Sequence, residues 1–324
     1  MSSGPPSGDT AAFPVSGAAV DLGSNSVHLL IAGIGSDQSL DPLVDESVFL
    51  GLGDKVAADS RLGGTVRAAV VDTLIDYARI ARDLGAASTT FVGTEPIRRA
   101  GDAATLARDV EAATGLALHV LNHEEEAYLT VIGVTSGRRI GRETLIVDIG
   151  GGSSEFCIVG PTKPPHAVGL RLGGASLTAR HVSADPPTRD EVEAMVVEAR
   201  TSLDAAPESA TLEIVAVGGT ASNLLKLVPE AMSGILTTET VAEARRILER
   251  ETAAQVAARY SMKPVRARLL PAGVAIMEAL LTRYGVEEIR VSEAGIREGA
   301  ILAVDQAGGA WRDLLLELAH GWRA

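Results

Sequence analysis

The chain has 324 residues and 46 % hydrophobic content, enough to bury a sizeable core and to divide into two domains. Its 29 basic against 42 acidic residues give a net charge of −13, which disfavours broad binding to nucleic acid or to an anionic membrane surface. No apolar run reaches membrane-spanning length, and the single cysteine, Cys157, excludes an internal disulfide and fits a reducing cytoplasm.

Residues 1–16, MSSGPPSGDTAAFPVS, have neither the basic start nor the apolar stretch of a signal peptide and are expected to form a disordered leader. Residues 20–33, VDLGSNSVHLLIAG, read as strand, polar turn, strand. A further short strand and a glycine-broken loop are expected over 41–56. Val66, Val70, Leu74, Tyr77, Ile80 and Leu84 recur at helical steps, which predicts a helix over 64–84 closed by Gly85. A strand over 88–93, an element opening at Thr94-Glu95-Pro96-Ile97-Arg98, a helix over 102–114 and a strand over 116–121 follow. That alternation makes 17–121 an α/β domain. Asn122-His123-Glu124-Glu125-Glu126-Ala127 then opens a helix through about 136. Acidic residues in a first turn are ordinary capping, but this cluster falls between two domains.

The second domain, 122–306, repeats the opening of the first. VDIGGGSSEFCIVG (147–160) aligns without a gap to residues 20–33 at a constant offset of 127, from Asp21 to Asp148 and from Gly33 to Gly160. The glycine run of a P-loop or a dinucleotide fold enters a helix. Here Glu155 to Val159 is a short apolar strand stopped by Gly160-Pro161, so the loop is a hairpin tip. Two duplicated domains facing each other would aim both tips into one cleft. Tight Gly/Ser turns there offer N–H groups to an anion, and an adjacent aspartate suits a divalent cation. Next come RLGGASLTARH (171–181), a helix over 188–204 and a strand over 212–217. Gly218-Gly219-Thr220 leads into a helix whose N-terminus suits an anion. Helices over 238–258 and 272–284, a strand over 287–292 and a closing helix complete the domain. Residues 307–324 form a tail in which Trp311 and Trp322 must pack against something the sequence does not name.

Taken in order, AVDLGSNSVHLLI, GTEPIRRA, EEEAYL, VDIGGGSSEF, VGGTASNL and VSEAGIREGAIL resemble the exopolyphosphatase/guanosine-pentaphosphatase family in its short two-domain form, over about residues 17–305. The resemblance implies an α/β fold of two RNase H-like domains, of the actin, acetate kinase and Hsp70 type, with an interdomain active-site cleft. It implies Glu126, 22 positions before Asp148, as the general base, with Arg98 as its catalytic companion. Asp21, Asp148 and Glu155 are implied as ligands of Mg²⁺ (or Mn²⁺). Gly23, Ser24, Asn25, Gly150, Gly151, Gly152 and Ser153 are implied to cradle phosphate, and the helix entrance at Gly218, Gly219 and Thr220 joins them.

The activity implied is Mg-dependent hydrolysis of the terminal phosphate of inorganic polyphosphate by an exopolyphosphatase, in the cytoplasm, by a homodimer. The alternatives are removal of the 5′ γ-phosphate of guanosine pentaphosphate (pppGpp), a small-molecule kinase on the same superfold, and a non-catalytic regulator that binds alarmone or polyphosphate. Two residues depart from the family pattern. His123 stands where the family usually has glycine, and Glu95-Pro96 replaces small residues beside Arg98. Lys263, Arg266 and Arg268 are candidates for a basic strip along a long anionic chain.

Overall fold

The computed structural model describes residues 15–209, 213–228 and 234–323. Its frame is two mixed sheets. The first contains β1 (Val15–Leu22), β2 (Ser26–Ile34), β3 (Leu40–Phe49), β4 (Thr89–Gly93) and β5 (Leu118–Val120) in the order β3-β2-β1-β4-β5. β1, β2 and β3 pair antiparallel as consecutive hairpins, while β4 and β5 continue the sheet in parallel. The second contains β6 (Thr144–Ile149), β7 (Ser154–Val159), β8 (His166–Leu170), β9 (Glu213–Val217), β10 (Ile235–Thr237) and β11 (Glu288–Val291) in the order β10-β11-β9-β6-β7-β8. Again three antiparallel strands lead and two parallel ones follow, with β10 added antiparallel at the edge. The duplication read from the ungapped repeat is thus a duplication of topology.

Helices α1 (Leu52–Asp59), α2 (Gly63–Asp83), α3 (Glu95–Arg99) and α4 (Ala103–Thr114) belong to the first half of the chain. α5 (His123–Thr135), α6 (Gly174–His181), α7 (Arg189–Ser202), α8 (Gly219–Leu227), α9 (Thr238–Leu248) and α10 (Ala253–Arg259) follow. α11 (Pro264–Ala267), α12 (Leu270–Tyr284), α13 (Ile296–Ala307) and α14 (Leu315–His320) complete the chain. Three apolar cores result. One joins α2 and α4 to the first sheet through Leu74, Phe91 and Leu106, and another joins α7 and α12 to the second through Met195, Ile276 and Phe156. The third lies between the sheets, where α5 and α13 contribute Leu129, Ile132, Ile301 and Leu302. Apolar residues consequently surround α5 on several sides, as a helix buried between layers requires. α5 and α13 cross backbone to backbone: a Cβ on Gly299 would fall 1.8 Å from the Leu129 carbonyl oxygen, and one on Gly133 would fall 2.1 Å from that of Gly295.

Several boundaries differ from expectation. Val15 and Ser16 already belong to β1, while residues 1–14 of the expected leader lie outside the described residues. The glycine-broken loop before 56 contains α1, which starts at Gly51 in the left-handed region (φ 61°) and buries Leu52 and Val56 one helical turn apart. The single helix expected over 238–258 is two helices. Thr252 caps α10, its Oγ1 accepting from the Gln255 N–H while Gln255 returns a bond to the Thr252 N–H, so local capping breaks the run. The tail is docked: α14 lies on α5, Trp322 covers Gly137, and Arg312 donates to both carboxylate oxygens of Glu125.

Candidate active site

The two hairpins are built alike. Asp21 pairs with His28 across the first and Asp148 with Glu155 across the second, so the offset of 127 equates His28 with Glu155 as well. Each bend is closed by the same bond, Gly23 N–H to Ser26 O at 3.1 Å and Gly150 N–H to Ser153 O at 3.0 Å. The tips abut. A Cβ on Gly151 would lie 3.0 Å from the Ser24 Cβ and 3.3 Å from Asn25 Nδ2. α1 braces the first tip, Gly53 N–H donating to Ser24 O at 2.8 Å. Gly23, Ser24, Asn25, Gly150, Gly151, Gly152 and Ser153 are therefore brought to one place. Gly218 joins them with φ 95°, a conformation that favours glycine, and a Cβ there would lie 2.9 Å from Asp148 Oδ1. Gly219 and Thr220 follow as the first turn of α8.

Behind the tips stand acidic groups at the ends of β1 and β6 and at the start of α5. Burial, and then Asp148, pushes the Asp21 carboxyl up to about 7. Asp21 Oδ1 is buried without a hydrogen-bond partner. Burial raises Asp148 to about 6, while Thr130 Oγ1, donating to Oδ2 at 3.3 Å, pulls it back. Glu126 is 5 % exposed and takes a bond from Arg98 Nη1 at 2.8 Å. The same Arg98 nitrogen donates to Leu121 O at 2.5 Å, which fixes the guanidinium between α3 and α5. Burial, then Glu155, raises Glu126 well above the ordinary glutamate value, and Arg98 opposes them. Glu155 accepts from Ser153 Oγ and meets His123 Nδ1, both at 2.8 Å; burial first and Asp148 second push it to about 8.

The two departures from the family pattern are accommodated by neighbours. His123 lies on the bare backbone of Gly169 in β8, where a Cβ would fall 2.2 Å from the ring. Burial and then Arg98 lower its pKa. Glu95, 7 % exposed, is paired with Arg99 at 2.6 Å and receives Ser24 Oγ at 3.4 Å, so it ties α3 to the first tip. Its Oε2 would lie only 2.5 Å from a Cβ on Gly152.

Three site neighbours were not singled out from the sequence. His28 was legible as the 127-offset counterpart of Glu155. Burial, then Arg297, lowers it to about 4, with Arg266 and Lys263 contributing. Arg297 lies in the quoted AGIREG motif; it is fixed by Asp45 Oδ1 at 2.5 Å and opposes the rise of Asp21. Thr130 is one helical turn beyond Glu126 on α5. Of the expected basic strip, Lys263 and Arg266 act on His28, and neither they nor Arg268 form an ion pair among the described residues.

Asp21, Asp148 and Glu155 suit a divalent cation. They are carboxylates destabilised by burial and mutual repulsion, and one has an orphaned buried oxygen, the environment that an added positive charge relieves. The donor atoms that converge within 4.8 Å of one another among the described residues are instead those of His123, Glu126 and Glu155; Asp21 and Asp148 are not in that group.

The model of the Ppx/GppA phosphatase family matches residues 30–306. Exopolyphosphatase 1 of Mycobacterium leprae is 30 % identical over 303 residues, covering 87 % of each chain. A guanosine-5′-triphosphate,3′-diphosphate pyrophosphatase of Pseudoalteromonas atlantica is 27 % identical over 88 % of this chain but 57 % of its own length. The crystal structure of the Aquifex aeolicus Ppx/GppA family member superposes with a TM-score of 0.79 at 25 % identity, over 91 % of this chain and 99 % of that one. No helix among the described residues is long and apolar enough to cross a membrane. With two mixed-sheet domains of the actin-like type and this match over most of its length, the chain belongs to the Ppx/GppA phosphatase family of phosphoanhydride hydrolases.

Proposed function

We propose that this protein removes the terminal phosphate of inorganic polyphosphate by in-line attack of water, with Glu126 as the general base. The observation that carries the proposal is the buried Glu126 carboxylate, held by Arg98 at 2.8 Å beside two abutting hairpin tips rich in backbone N–H groups. Burial and Glu155 make Glu126 a stronger base than a solvated glutamate, and Arg98 offsets part of that rise, favouring its ionised form. Glu126 takes a proton from water as the water oxygen bonds to the terminal phosphorus. The bridging P–O bond breaks, and the shortened chain leaves with the electron pair.

Such a reaction requires little covalent work from the protein; positioning and charge stabilisation dominate. Ser24 and Asn25 with Gly151 to Ser153 supply turn N–H groups, Gly23 and Gly150 close the two bends with theirs, and the α8 entrance at Gly218, Gly219 and Thr220 supplies helix-terminal ones. Asp21, Asp148 and Glu155 are the proposed holders of Mg²⁺ (or Mn²⁺), which when bound supplies Lewis-acid polarisation of the phosphoryl oxygens. Lys263 and Arg266, without carboxylate partners among the described residues, favour a longer anionic chain over a single nucleotide. The relatives that match over most of their own length carry the exopolyphosphatase name. Removal of the 5′ γ-phosphate of guanosine pentaphosphate is the second reading, since it changes only the leaving group.

Phosphate release with Mg²⁺ from short polyphosphate, long polyphosphate and guanosine pentaphosphate, by wild type and Glu126→Gln, tests the proposal. Release from polyphosphate that disappears in the variant supports it. Release from the guanosine compound alone selects the second reading, and tight binding without release from any of the three points to a regulator. A homodimer divided into domains near residue 121 in each copy completes the proposal and is checked by light scattering and limited proteolysis.

A further inference from the structure

We propose that His123, Glu126 and Glu155 form a binding site for a transition-metal dication of the Zn²⁺ class, and that occupancy of this site withdraws Glu126 from use as a base. The inference rests on the reading of Glu126 given above, but the site itself is independent of that reading. His123 Nδ1 stands 2.8 Å from Glu155 Oε1 and 4.0 Å from Glu126 Oε2, and the three donors lie within 4.8 Å of one another. Tetrahedral zinc with bonds of about 2 Å holds its ligand atoms about 3.3 Å apart, so small side-chain movements bring this set into range. Both carboxylates are buried, at 5 % and 6 % exposure.

The imidazole is seated by the fold. Its ring occupies the space a side chain at position 169 would fill, against the bare Gly169 backbone in β8. The site also has a competitor. Arg98 Nη1 is 2.8 Å from Glu126 Oε2, and Nη2 is 3.1 Å from His123 Nδ1, so the guanidinium now provides the positive charge that a metal would bring. Leu121 O accepts from the same guanidinium at 2.5 Å and gives Arg98 a remaining anchor when it yields Glu126. Ser153 Oγ, which donates to Glu155 Oε1 at 2.8 Å, orients the second carboxylate.

The site shares Glu155 with the proposed magnesium position, and its other ligands set its metal preference. Mg²⁺ takes oxygen donors, whereas an imidazole nitrogen beside two carboxylates selects borderline metals, among which zinc exceeds manganese. Asp21 and Asp148 offer oxygen alone. A zinc ion at His123 would occupy the Glu126 lone pair needed to accept a proton from water, so low zinc should inhibit hydrolysis that magnesium supports.

The test is zinc affinity, measured on the full chain by competition with a chromophoric chelator, without substrate and without Mg²⁺, which would compete for Glu155. Wild type is expected to hold one Zn²⁺, and His123→Asn to bind it at least about tenfold more weakly, the lower end of what even outer-shell changes produce. Gly169→Ala keeps the imidazole but displaces the ring, and should weaken zinc similarly. Thermal melts establish that both variants are folded. Co²⁺ bound in place of zinc should lose its nitrogen-ligand absorption in His123→Asn. Wild type that binds no zinc, or a folded His123→Asn with wild-type affinity, would overturn the inference. Because no turnover is measured, hydrolysis without zinc affinity defeats only the metal site, and zinc affinity without hydrolysis defeats only the proposed function.

Discussion

Replacing Asp148 with asparagine should stabilise the metal-free protein while abolishing its activity. Burial raises the Asp148 carboxyl from 3.8 to about 6. The difference is roughly two pH units, each worth about 1.4 kcal/mol, so keeping Asp148 ionised in the fold costs about 3 kcal/mol. The pH window follows from the direction of the shift. Below 3.8 the group is protonated both folded and unfolded, and it imposes no penalty. As pH rises the folded state holds the proton longer, stability falls, and the loss is complete above about 6. Asparagine keeps an oxygen that can accept from Thr130 Oγ1 and removes the charge. Urea unfolding in EDTA at pH 7.5 should place Asp148→Asn about 2–3 kcal/mol above wild type, and the gap should close below pH 4. Saturating Mg²⁺ should narrow it, because a cation bound only by the native state stabilises wild type by mass action. A variant no more stable than wild type at pH 7.5, or a gap that ignores pH, would refute the electrostatic reasoning.

Glu126→Gln should lower phosphate release by about 10²- to 10⁴-fold while polyphosphate binding, followed by filter retention, persists. Arg98→Ala removes the cation that lowers the Glu126 pKa, so the acidic limb of kcat/KM should move to higher pH; an unmoved limb would detach Arg98 from the base. Gly299→Ala puts a Cβ 1.8 Å from the Leu129 carbonyl oxygen, and chemical denaturation should show a loss of at least about 2 kcal/mol as α5 and α13 are forced apart.

The hairpins were legible because a repeated pattern fixes register: once Asp21 is set against Asp148 without a gap, the pairing of Asp148 with Glu155 and the position of His28 follow. Harder to read were elements whose local chemistry opposes their structure. α1 begins through Gly51-Leu52-Gly53, a poor helical start by propensity, and forms because Leu52 and Val56 are buried and Gly53 braces Ser24. The break before α10 was locally encoded in Thr252 and Gln255, but helical periodicity runs through it. The pairing of Glu95 with Arg99 was within helical reach, whereas the seat of His123 on Gly169 joins residues 46 apart and has no sequence signature. Trp311 likewise meets His119 edge to face at 5.3 Å, a contact made only when the tail folds back.

A chain of net charge −13 that acts on a polyanion must concentrate positive charge locally, and the distribution of partners indicates where charge is still missing. Glu95 has Arg99 and Glu126 has Arg98, whereas the partner of Glu155 is His123, whose lowered pKa disfavours the charged imidazolium. Asp21 and Asp148, of which the second raises the pKa of the first, have no ion pair among the described residues. The deficit therefore falls on Asp21, Asp148 and Glu155, beside the N–H groups of both tips. A phosphate chain entering there adds further negative charge and deepens the same deficit, so a divalent cation and the chain should each bind more tightly in the presence of the other. Linkage makes that coupling reciprocal. Polyphosphate should raise the apparent Mg²⁺ affinity by the same factor that Mg²⁺ raises polyphosphate affinity, and Asp148→Asn should weaken both effects together, since the same carboxylates underlie them.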